Sequence, residues 1–428
     1  RIMFGGAYVV DDFALVLKGL FLLSGYVVIL LSTNYIAEGD YWENEYYGLL
    51  LASIMGMVLM ASARDLITIF VALELLSIPA YLLAAWRKRD MRGNEAGMKY
   101  YLMGVFASAV MLYGMSLLYG AAGSTQLSVI GSAIGEGESV PLITLGVVFT
   151  LIGFAFKISA VPFHTWAPDT YEGAPTPITA FLAVLSKTAG FVALLMLVFV
   201  AFPGRDDVYQ PLFWVLAIAT MSVGNFIALR QTNVVRLFAY SGVAQAGYMI
   251  APLAVAGDVG DIALQSIVTY LVIYAAMNLG VFAIIIAVSR KTRSGELSSW
   301  GGLFEYAPGL AVAMVVFLFS LAGIPPLAGW FAKFAVFSAL VDADNWWGYS
   351  LAIAVAVNSV IALYYYANVA RQMFMNPVPD GDTTPIRVPF ALVAAVGITV
   401  VVTVVLGVFP GMVTHFSDVT LTTAAAGG

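Results

Sequence analysis

The chain has no cysteine among its 428 residues, and charged residues make up only 10% of them. The lack of cysteine excludes disulfide bonds, thiol nucleophiles, and zinc or iron–sulfur sites with cysteine ligands. Its two histidines, His164 and His415, are too few for a bis-histidine haem or a histidine-rich metal site. A typical soluble domain carries about 25% charged residues, so this chain belongs to another class of protein.

Known chemical motifs are also missing. The sequence has no phosphate-binding glycine loop followed by Lys-Ser/Thr, no metal-ligand spacing and no nucleophile elbow. No basic stretch resembles a nucleic-acid patch. Of the functions considered, the sequence therefore supports only the transfer of protons or other ions.

Long apolar segments dominate what is present, since hydrophobic residues make up 61% of the chain. A run of about 20 apolar residues is long enough to cross a bilayer as a helix. We therefore predict an all-α polytopic membrane protein, residues 1–428 forming one membrane domain. The twelve predicted spans are 12–33, 46–63, 65–86, 95–120, 140–171, 177–201, 208–229, 233–255, 261–289, 308–341, 346–370 and 388–409.

Two of these spans, 140–171 and 308–341, are longer than a bilayer requires. Proline interrupts each of them, at Pro162 in the first and at Pro325-Pro326 in the second. Proline removes a backbone donor and clashes with the preceding turn, so we expect both helices to break there.

The positions of the two breaks predict an internal repeat. Each broken span is the fourth of five, in the groups 46–201 and 208–370, and the last span, 388–409, lies outside both groups. An odd number of spans inverts the second copy, and inverted repeats with matching broken helices are a recurrent transporter plan. The alternative is that both prolines merely kink two long helices.

Five ionisable residues lie within the predicted spans, where each costs about 2.5–3.5 kcal/mol at a helix centre. Such residues pair with one another or line water-filled paths, and they usually serve transport. Burial disfavours the charged form of an amine and a nearby carboxylate favours it, so a moving charge can release a lysine proton. The five residues are Glu74, Lys99, Lys157, Lys187 and Lys333.

Each candidate has a plainer alternative. Glu74 has no basic neighbour one turn away, and we expect it to pair with Lys99, unless Lys99 snorkels to the membrane face. His164, at the first break, is expected to relay protons between lysines or simply to cap the broken helix. Lys187 and Lys333 serve proton transfer, or else form fixed ion pairs.

Loop charges predict the orientation in the membrane. Lys and Arg near span ends favour the cytoplasmic side. We therefore expect the basic loops on that side and both chain ends on the other. The basic residues in question are Arg87, Lys88, Arg89, Arg92, Arg230, Arg290, Lys291, Arg293 and Arg371.

Several motifs, taken together, resemble the antiporter-like membrane subunits of respiratory complex I, a resemblance that covers nearly the whole chain. The segment FHTWAPD marks the wider superfamily, and its continuation TYEGAP favours the N-type subunits. The matching segments are 73–79 (LELLSIP), 94–100 (NEAGMKY) with 112–120 (LYGMSLLYG), 163–177 (FHTWAPDTYEGAPTP) together with 156–157 (FK) before it and 186–187 (SK) after it, and 320–334 (SLAGIPPLAGWFAKF).

The resemblance implies a role for each candidate. Glu74 is the carboxylate that controls a lysine, and Lys157 is the lysine of the first broken helix. Lys187 and Lys333 pass protons across the centre toward the exit, with His164 as a bridge. Fourteen helices are implied for full-length relatives, so we expect two N-terminal helices to be missing from this sequence.

Gln245 is the main departure from the family pattern, because many members carry histidine there. Glutamine can hydrogen-bond but cannot titrate, so we treat Gln245 as part of a secondary polar path. Members also often carry lysine where this chain has Val235.

The predicted function is that of a proton-translocating, non-redox subunit of a NADH:quinone oxidoreductase. The resemblance implies no cofactor in this chain, with NADH or another donor, FMN, Fe–S clusters and quinone in partner subunits. The implied partners are M-, K-, J-, A- and H-like membrane subunits, a peripheral redox arm and the bilayer, with no nucleic acid. A bacterial inner membrane is expected, or a thylakoid or other energy-coupling membrane. The alternatives are a multisubunit Na⁺/H⁺ antiporter and a structural subunit with static ion pairs.

Overall fold

The structure is a computed structural model that describes residues 1–39, 43–135 and 141–421. Within these ranges, eight helices are long and apolar enough to cross a membrane. Two further apolar helices, Pro141–Lys157 and Pro308–Ala322, are shorter. The prediction of a polytopic α-helical membrane protein is confirmed, whereas the count of twelve spans stays a prediction.

The first half of the described chain is almost entirely helical. The residues 182–186 and 197–201 form π-helical turns that continue α8 and α9, so one rod runs over Thr176–Ala201. The helices are α1 (Asp12–Ala37), α2 (Glu43–Met60), α3 (Leu66–Ala84), α4 (Met91–Ala122), α5 (Leu127–Gly135), α6 (Pro141–Lys157), α7 (Trp166–Gly173), α8 (Thr176–Phe181) and α9 (Lys187–Met196).

The second half continues in the same way, with a 3-10 turn, Ala251–Val255, between its second and third helices. A two-stranded hairpin, Ile2–Met3 with Tyr8–Val9, is the sheet found in the described chain. The helices are α10 (Asp206–Ala228), α11 (Val234–Ile250), α12 (Ala256–Thr292), α13 (Leu303–Tyr306), α14 (Pro308–Ala322), α15 (Ala328–Asp342), α16 (Trp346–Met375), α17 (Phe390–Val408) and α18 (Gly411–Ser417).

Both predicted helix breaks are present. Helix α6 ends at Lys157 and α7 begins at Trp166, while α14 ends at Ala322 and α15 begins at Ala328. The first residue of the predicted span 140–171 lies outside the described residues. A left-handed residue follows each helix end, since Ser159 has φ 61° and Gly323 has φ 90°.

Two features differ from the expected pattern. The short helix α5 was not predicted, because nine residues are too few to cross a bilayer. The predicted spans 233–255 and 261–289 correspond to α11 and α12, which are joined by the 3-10 turn Ala251–Val255 in place of an extended loop. The chain reverses direction there, because Gln245 of α11 hydrogen-bonds to Tyr270 of α12, and α12 has a further kink at Val259.

The centre of the fold consists of the rod 176–201 and the helix pair formed by α11 and α12. The apolar windows of the segments 176–201 and 234–292 are 94% buried within the chain, against 22% for α17. These helices therefore pack against other helices on all sides, and they carry Lys187 and Gln245 away from lipid. This placement makes them the natural support for a buried polar path.

Candidate functional site

Lys157 is the last residue of α6, and its amine points into the protein. Nζ of Lys157 donates hydrogen bonds to Ser77 Oγ at 2.8 Å and to Tyr100 Oη at 3.2 Å. The amine also lies 5.6 Å from the centroid of the Tyr100 ring, close enough for a cation–π contact. Three lysines are almost fully buried, with exposed fractions of 3% for Lys157, 2% for Lys187 and 8% for Lys333.

Glu74 lies on the same side of α3 as the partner of Lys157. Residues three apart on a helix are neighbours, and Ser77 follows Glu74 by three. Glu74 is half-buried, and its Oε1 accepts a hydrogen bond from Ser108 Oγ at 2.7 Å. The carboxylate is thus one helical turn from the serine that binds the Lys157 amine.

The expected Glu74–Lys99 ion pair is wrong. Lys99 instead pairs with Glu95 at 2.7 Å and with Asp169 at 2.7 Å. Glu74 is opposite Ser108 on α4, and Lys99 lies nine residues earlier on that helix. Nine residues correspond to about 13 Å of helix, which is too far for an ion pair. Lys99 also is not deep in the bundle, because its side chain is 43% exposed.

Lys157 and Lys187 are linked through helix α9. A methyl group on Gly190 would lie 3.2 Å from Cγ of Lys157, so the stem of Lys157 packs against this glycine. Gly190 follows Lys187 by three residues, a rise of about 4.5 Å along the helix. Lys157 therefore contacts α9 one turn from Lys187.

Lys187 reaches from α9 to α11. Its Nζ donates a hydrogen bond to the backbone carbonyl of Gly242 at 2.5 Å and lies 5.9 Å from the centroid of the Tyr274 ring. A methyl group on Gly242 would lie 3.2 Å from both Nζ and Tyr274 Oη, so the glycine leaves room for the amine.

Gln245 continues the path one turn further along α11. Its Nε2 donates to the carbonyl of Leu321 at 3.3 Å and to Tyr366 Oη at 3.2 Å. Its Oε1 accepts a hydrogen bond from Tyr270 Oη at 2.5 Å. The amide is fully buried and connects α11 with the end of α14, and the tyrosines connect it with α12 and α16.

Lys333 completes the series at the second break. Its Nζ donates to the carbonyl of Ala322 at 3.0 Å and lies 4.7 Å from the centroid of the Tyr248 ring. Ala322 is the last residue of α14, where a helix leaves its carbonyl groups without helical partners. The break therefore supplies the hydrogen-bond acceptor for the amine.

His164 lies between α6 and α7, at the first break, as expected. Its ring centroid is 6.4 Å from that of Tyr240 on α11, so it faces the second half of the chain. No hydrogen bond joins it to Lys157 or Lys187 in the described structure, and its role as a relay stays a prediction.

Buried polar atoms without a protein partner lie close in sequence to the lysines. They include the hydroxyls of Ser159 and Thr188, which lie two residues from Lys157 and next to Lys187. Buried polar groups in proteins normally hydrogen-bond to protein or to ordered water. These hydroxyls are therefore candidate sites for ordered water in the segments that carry Lys157 and Lys187.

Sequence reasoning missed a cluster of charges that joins the two halves of the chain. Arg236 of α11 donates to Asp169 and Glu172 of α7, each at 2.9 Å, and Lys99 also binds Asp169. The sequence did contain a sign of this cluster, because Asp169 and Glu172 are three residues apart and therefore place two carboxylates on one helix face. Their partner was not predictable, since it lies more than sixty residues away in the sequence.

Comparison with known proteins places this arrangement in a family. The family described as NADH:quinone oxidoreductase/Mrp antiporter, TM matches residues 63–361. NADH-quinone oxidoreductase subunit N of Trichlorobacter lovleyi is 42% identical over 419 residues, which cover 97% of this chain and 84% of that protein.

Solved structures of related membrane proteins have the same fold. A chain of respiratory complex I from Thermus thermophilus with bound aureothin has a TM-score of 0.80 and 34% identity, with 100% of this chain and 89% of that one covered. A chain of the Mrp complex from Dietzia sp. DQ12-45-1b has a TM-score of 0.84 and 23% identity, with 96% and 83% covered, a likeness of fold alone. The chain therefore belongs to the NADH:quinone oxidoreductase/Mrp antiporter membrane family and, within it, to the subunit N family of NADH-quinone oxidoreductase.

Proposed function

We propose that this chain carries protons across a bacterial membrane as a non-redox subunit of a NADH:quinone oxidoreductase. The observation that carries the proposal is the continuous series of contacts from Glu74 through Lys157, Lys187 and Gln245 to Lys333. Glu74 and Lys157 are linked through Ser77, and the stem of Lys157 packs against Gly190, one turn from Lys187. Lys187 binds Gly242, one turn from Gln245, and Gln245 and Lys333 bind the adjacent carbonyls of Leu321 and Ala322. The series runs through both halves of the chain.

The partners of the buried amines favour proton transfer over a static role. No ion pair of Lys157, Lys187 or Lys333 occurs in the described structure, and their partners are a hydroxyl, a phenol and two backbone carbonyls. A neutral acceptor does not lock an amine in its charged form as a carboxylate does. Each amine is thus suited to gain and lose a proton as the charge near it changes.

Glu74 is suited to begin this sequence. A negative charge on Glu74 favours the protonated form of the Lys157 amine, which binds Ser77 one helical turn from Glu74. Loss of the charge on Glu74 favours release of the proton from Lys157. The released proton moves toward Lys187 along the hydroxyls near the first break. Gln245 cannot take up or release a proton itself. Its part in the path is to hold the hydrogen bonds that connect it to Tyr270 and Tyr366.

In this proposal the redox reactions and the proton transfer take place in different subunits. NADH or another donor is oxidised, and quinone is reduced, in partner subunits that hold FMN and Fe–S clusters. The neighbours in the bacterial inner membrane are M-, K-, J-, A- and H-like subunits. We retain twelve spans and two inverted repeats, 46–201 and 208–370, as part of this proposal, because the two broken helices hold matching positions.

One purification tests the assignment. The tagged chain is isolated in mild detergent, its co-purifying subunits are identified by mass spectrometry, and an EPR spectrum is recorded. Fe–S subunits with reducible cluster signals are expected. Recovery with cofactor-free membrane subunits only, together with sodium-dependent proton exchange in vesicles, would instead establish the antiporter. This alternative is tested because the chain shares its fold with an Mrp chain.

A further inference from the structure

We propose that this chain holds the phosphate of an anionic phospholipid in a cavity between the ends of α1, α11 and α12. The cavity has a volume of about 460 Å³, within the range of small-molecule sites in proteins. Its walls come from all three helices and from the connection between α3 and α4. None of the residues argued below belongs to the proton path.

The rim of the cavity is cationic. Arg87, Arg290 and Arg293 line it, and Glu38 is the only carboxylate among the described residues that do so. Arginine binds phosphate well, because its planar guanidinium donates two parallel hydrogen bonds. The rim therefore offers an anion more positive charge than its own acidic residue can balance.

Only one of the three guanidiniums is fully engaged. Arg290 binds both carboxylate oxygens of Glu38, at 2.7 and 2.9 Å. Arg87 lies 3.8 Å from Asp90 and stacks over the ring of Tyr35, at 5.4 Å from its centroid. No ion pair of Arg293 is found within the described ranges, and its side chain is exposed. Arg87 and Arg293 are thus available to an incoming phosphate.

The inner wall of the cavity is apolar, which favours a lipid over a free phosphate ion. Val234 and Val235 of α11, with Ile285 and Ile286 of α12, line it. A bare phosphate gains nothing from such a wall, whereas the glycerol and upper acyl chain of a phospholipid bury apolar surface there. A basic rim above an apolar wall therefore matches the amphipathic form of a phospholipid.

The location at the end of the bundle agrees with this occupant. Arg87 belongs to the basic loop 87–92, and Arg290 and Arg293 belong to the basic end of α12, the loops with the most Lys and Arg. Basic pockets between helices on the cytoplasmic side of membrane proteins bind anionic lipid headgroups. In the orientation that the loop charges predict, the cavity opens at the cytoplasmic ends of these helices, on the side of the anionic headgroups.

Photo-crosslinking in the intact assembly tests the site. The purified complex containing this chain is reconstituted in phosphatidylcholine nanodiscs with a trace of phosphatidylglycerol that bears a diazirine near its glycerol. After illumination, the crosslinked peptides of this chain are mapped by mass spectrometry. Crosslinks are expected on residues 285–295 and at Tyr35.

Competition distinguishes the two sources of phosphate. Excess unlabelled phosphatidylglycerol is expected to remove the crosslinks, and excess phosphatidylcholine is expected to leave them. Removal by inorganic phosphate at equal concentration would identify a free-anion site and overturn the lipid assignment. These arms use the unmodified complex, so they decide the question even if a variant does not assemble.

Substitution tests the residues. Arg87→Gln with Arg293→Gln is expected to reduce crosslinking at the cavity about tenfold, because two basic residues near the membrane surface are lost. The matched control is Arg230→Gln with Arg371→Gln, which removes two exposed arginines that do not line the cavity, one just after α10 and one on α16. An equal loss in the control would show a general effect of surface charge and contradict the site. Proton pumping is not the readout, so failure here leaves the proposed function untouched.

Discussion

The amine of Lys187 is hydrogen-bonded to the backbone carbonyl of Gly242 at 2.5 Å, and it has no carboxylate partner in the described structure. The lysine belongs to the rod 176–201 and the glycine to α11, so this contact joins the two most buried segments of the fold. A buried amine that binds a neutral oxygen is costly to keep charged. The contact is therefore better suited to a transient charge than to a structural ion pair.

Lys187→Met separates transport from structure. Methionine fills a similar volume without an amine, so we expect the complex to assemble and pumping to fall by about tenfold or more, as for an essential intramembrane charge. NADH-driven acidification of inverted vesicles measures pumping, native gels measure assembly, and NADH oxidation with an artificial acceptor tests the redox arm. Lys18→Met is the control, because Lys18 binds Tyr8 near the start of α1 and has no contact with the path. Unchanged pumping in an assembled complex would support the structural alternative.

Gly242→Ala tests the same contact from the other helix. The added methyl would lie 3.2 Å from Lys187 Nζ and from Tyr274 Oη, so the amine must shift and its hydrogen bond weakens. We expect a decrease of about threefold to tenfold in pumping, which corresponds to the net worth of one hydrogen bond. The control is Gly397→Ala on α17, where nothing lies within 4 Å of the new methyl. Equal behaviour of the two variants would show that the fit at Gly242 is unimportant.

The sequence was informative about which residues are unusual, but not about which residues meet. Apolar run lengths predicted the helices, and prolines predicted both breaks, because these features act within one segment. The Glu74–Lys99 pair failed because charge complementarity says nothing about position along a neighbouring helix. Lys99 and the true neighbour of Glu74, Ser108, are on the same helix, but nine residues place them about 13 Å apart along its axis and on opposite faces.

The partners of Lys187 and Lys333 show a second limit. Both amines bind backbone carbonyls, and every residue carries a carbonyl, so no side-chain pattern marks those acceptors. The acceptor at Ala322 is free because α14 ends there, which the prolines did predict. The acceptor at Gly242 depends on the close approach of α9 and α11, which is a property of the assembled fold.

Gln245 offers a test of whether the middle of the path needs a hydrogen-bonding side chain. Gln245→Leu leaves Tyr270, Tyr366 and the carbonyl of Leu321 without this partner, and each unpaired buried group costs about 1–3 kcal/mol. We expect lower thermal stability and a large loss of pumping. Gln245→His keeps hydrogen-bonding capacity, adds a titratable ring and is expected to retain most pumping.

The measurements for Gln245 are vesicle acidification and the thermal inactivation of NADH oxidation. Their comparison matters, because lost stability with full pumping in Gln245→Leu at low temperature would assign the glutamine a packing role only. If Gln245→His also failed to pump while it assembled normally, the geometry of the amide, rather than a hydrogen bond at this position, would be required.

Arg236 and Asp169 provide a test of coupling between the two halves of the chain. The pair is partly exposed, with side-chain exposures of 28% and 35%, so its loss should change stability by no more than about 1 kcal/mol. Its effect on pumping should be larger, because Arg236 ties α7, just beyond the first break, to the helix that carries Gly242 and Gln245. We expect Arg236→Gln and Asp169→Asn each to decrease pumping about threefold, and the double variant to be little worse than either.

The double-mutant cycle is measured as the rate of vesicle acidification, with thermal inactivation recorded in parallel. Lys291→Gln is the matched control, since it breaks a peripheral ion pair with Asp382, 3.5 Å long, that connects α12 to a loop. It should leave pumping unchanged. Fully additive effects of the Arg236 and Asp169 substitutions would mean that the two residues act independently. In that case the charge cluster would not couple the first break to the central rod, and each residue would have to affect pumping through separate contacts with Glu172 and Lys99.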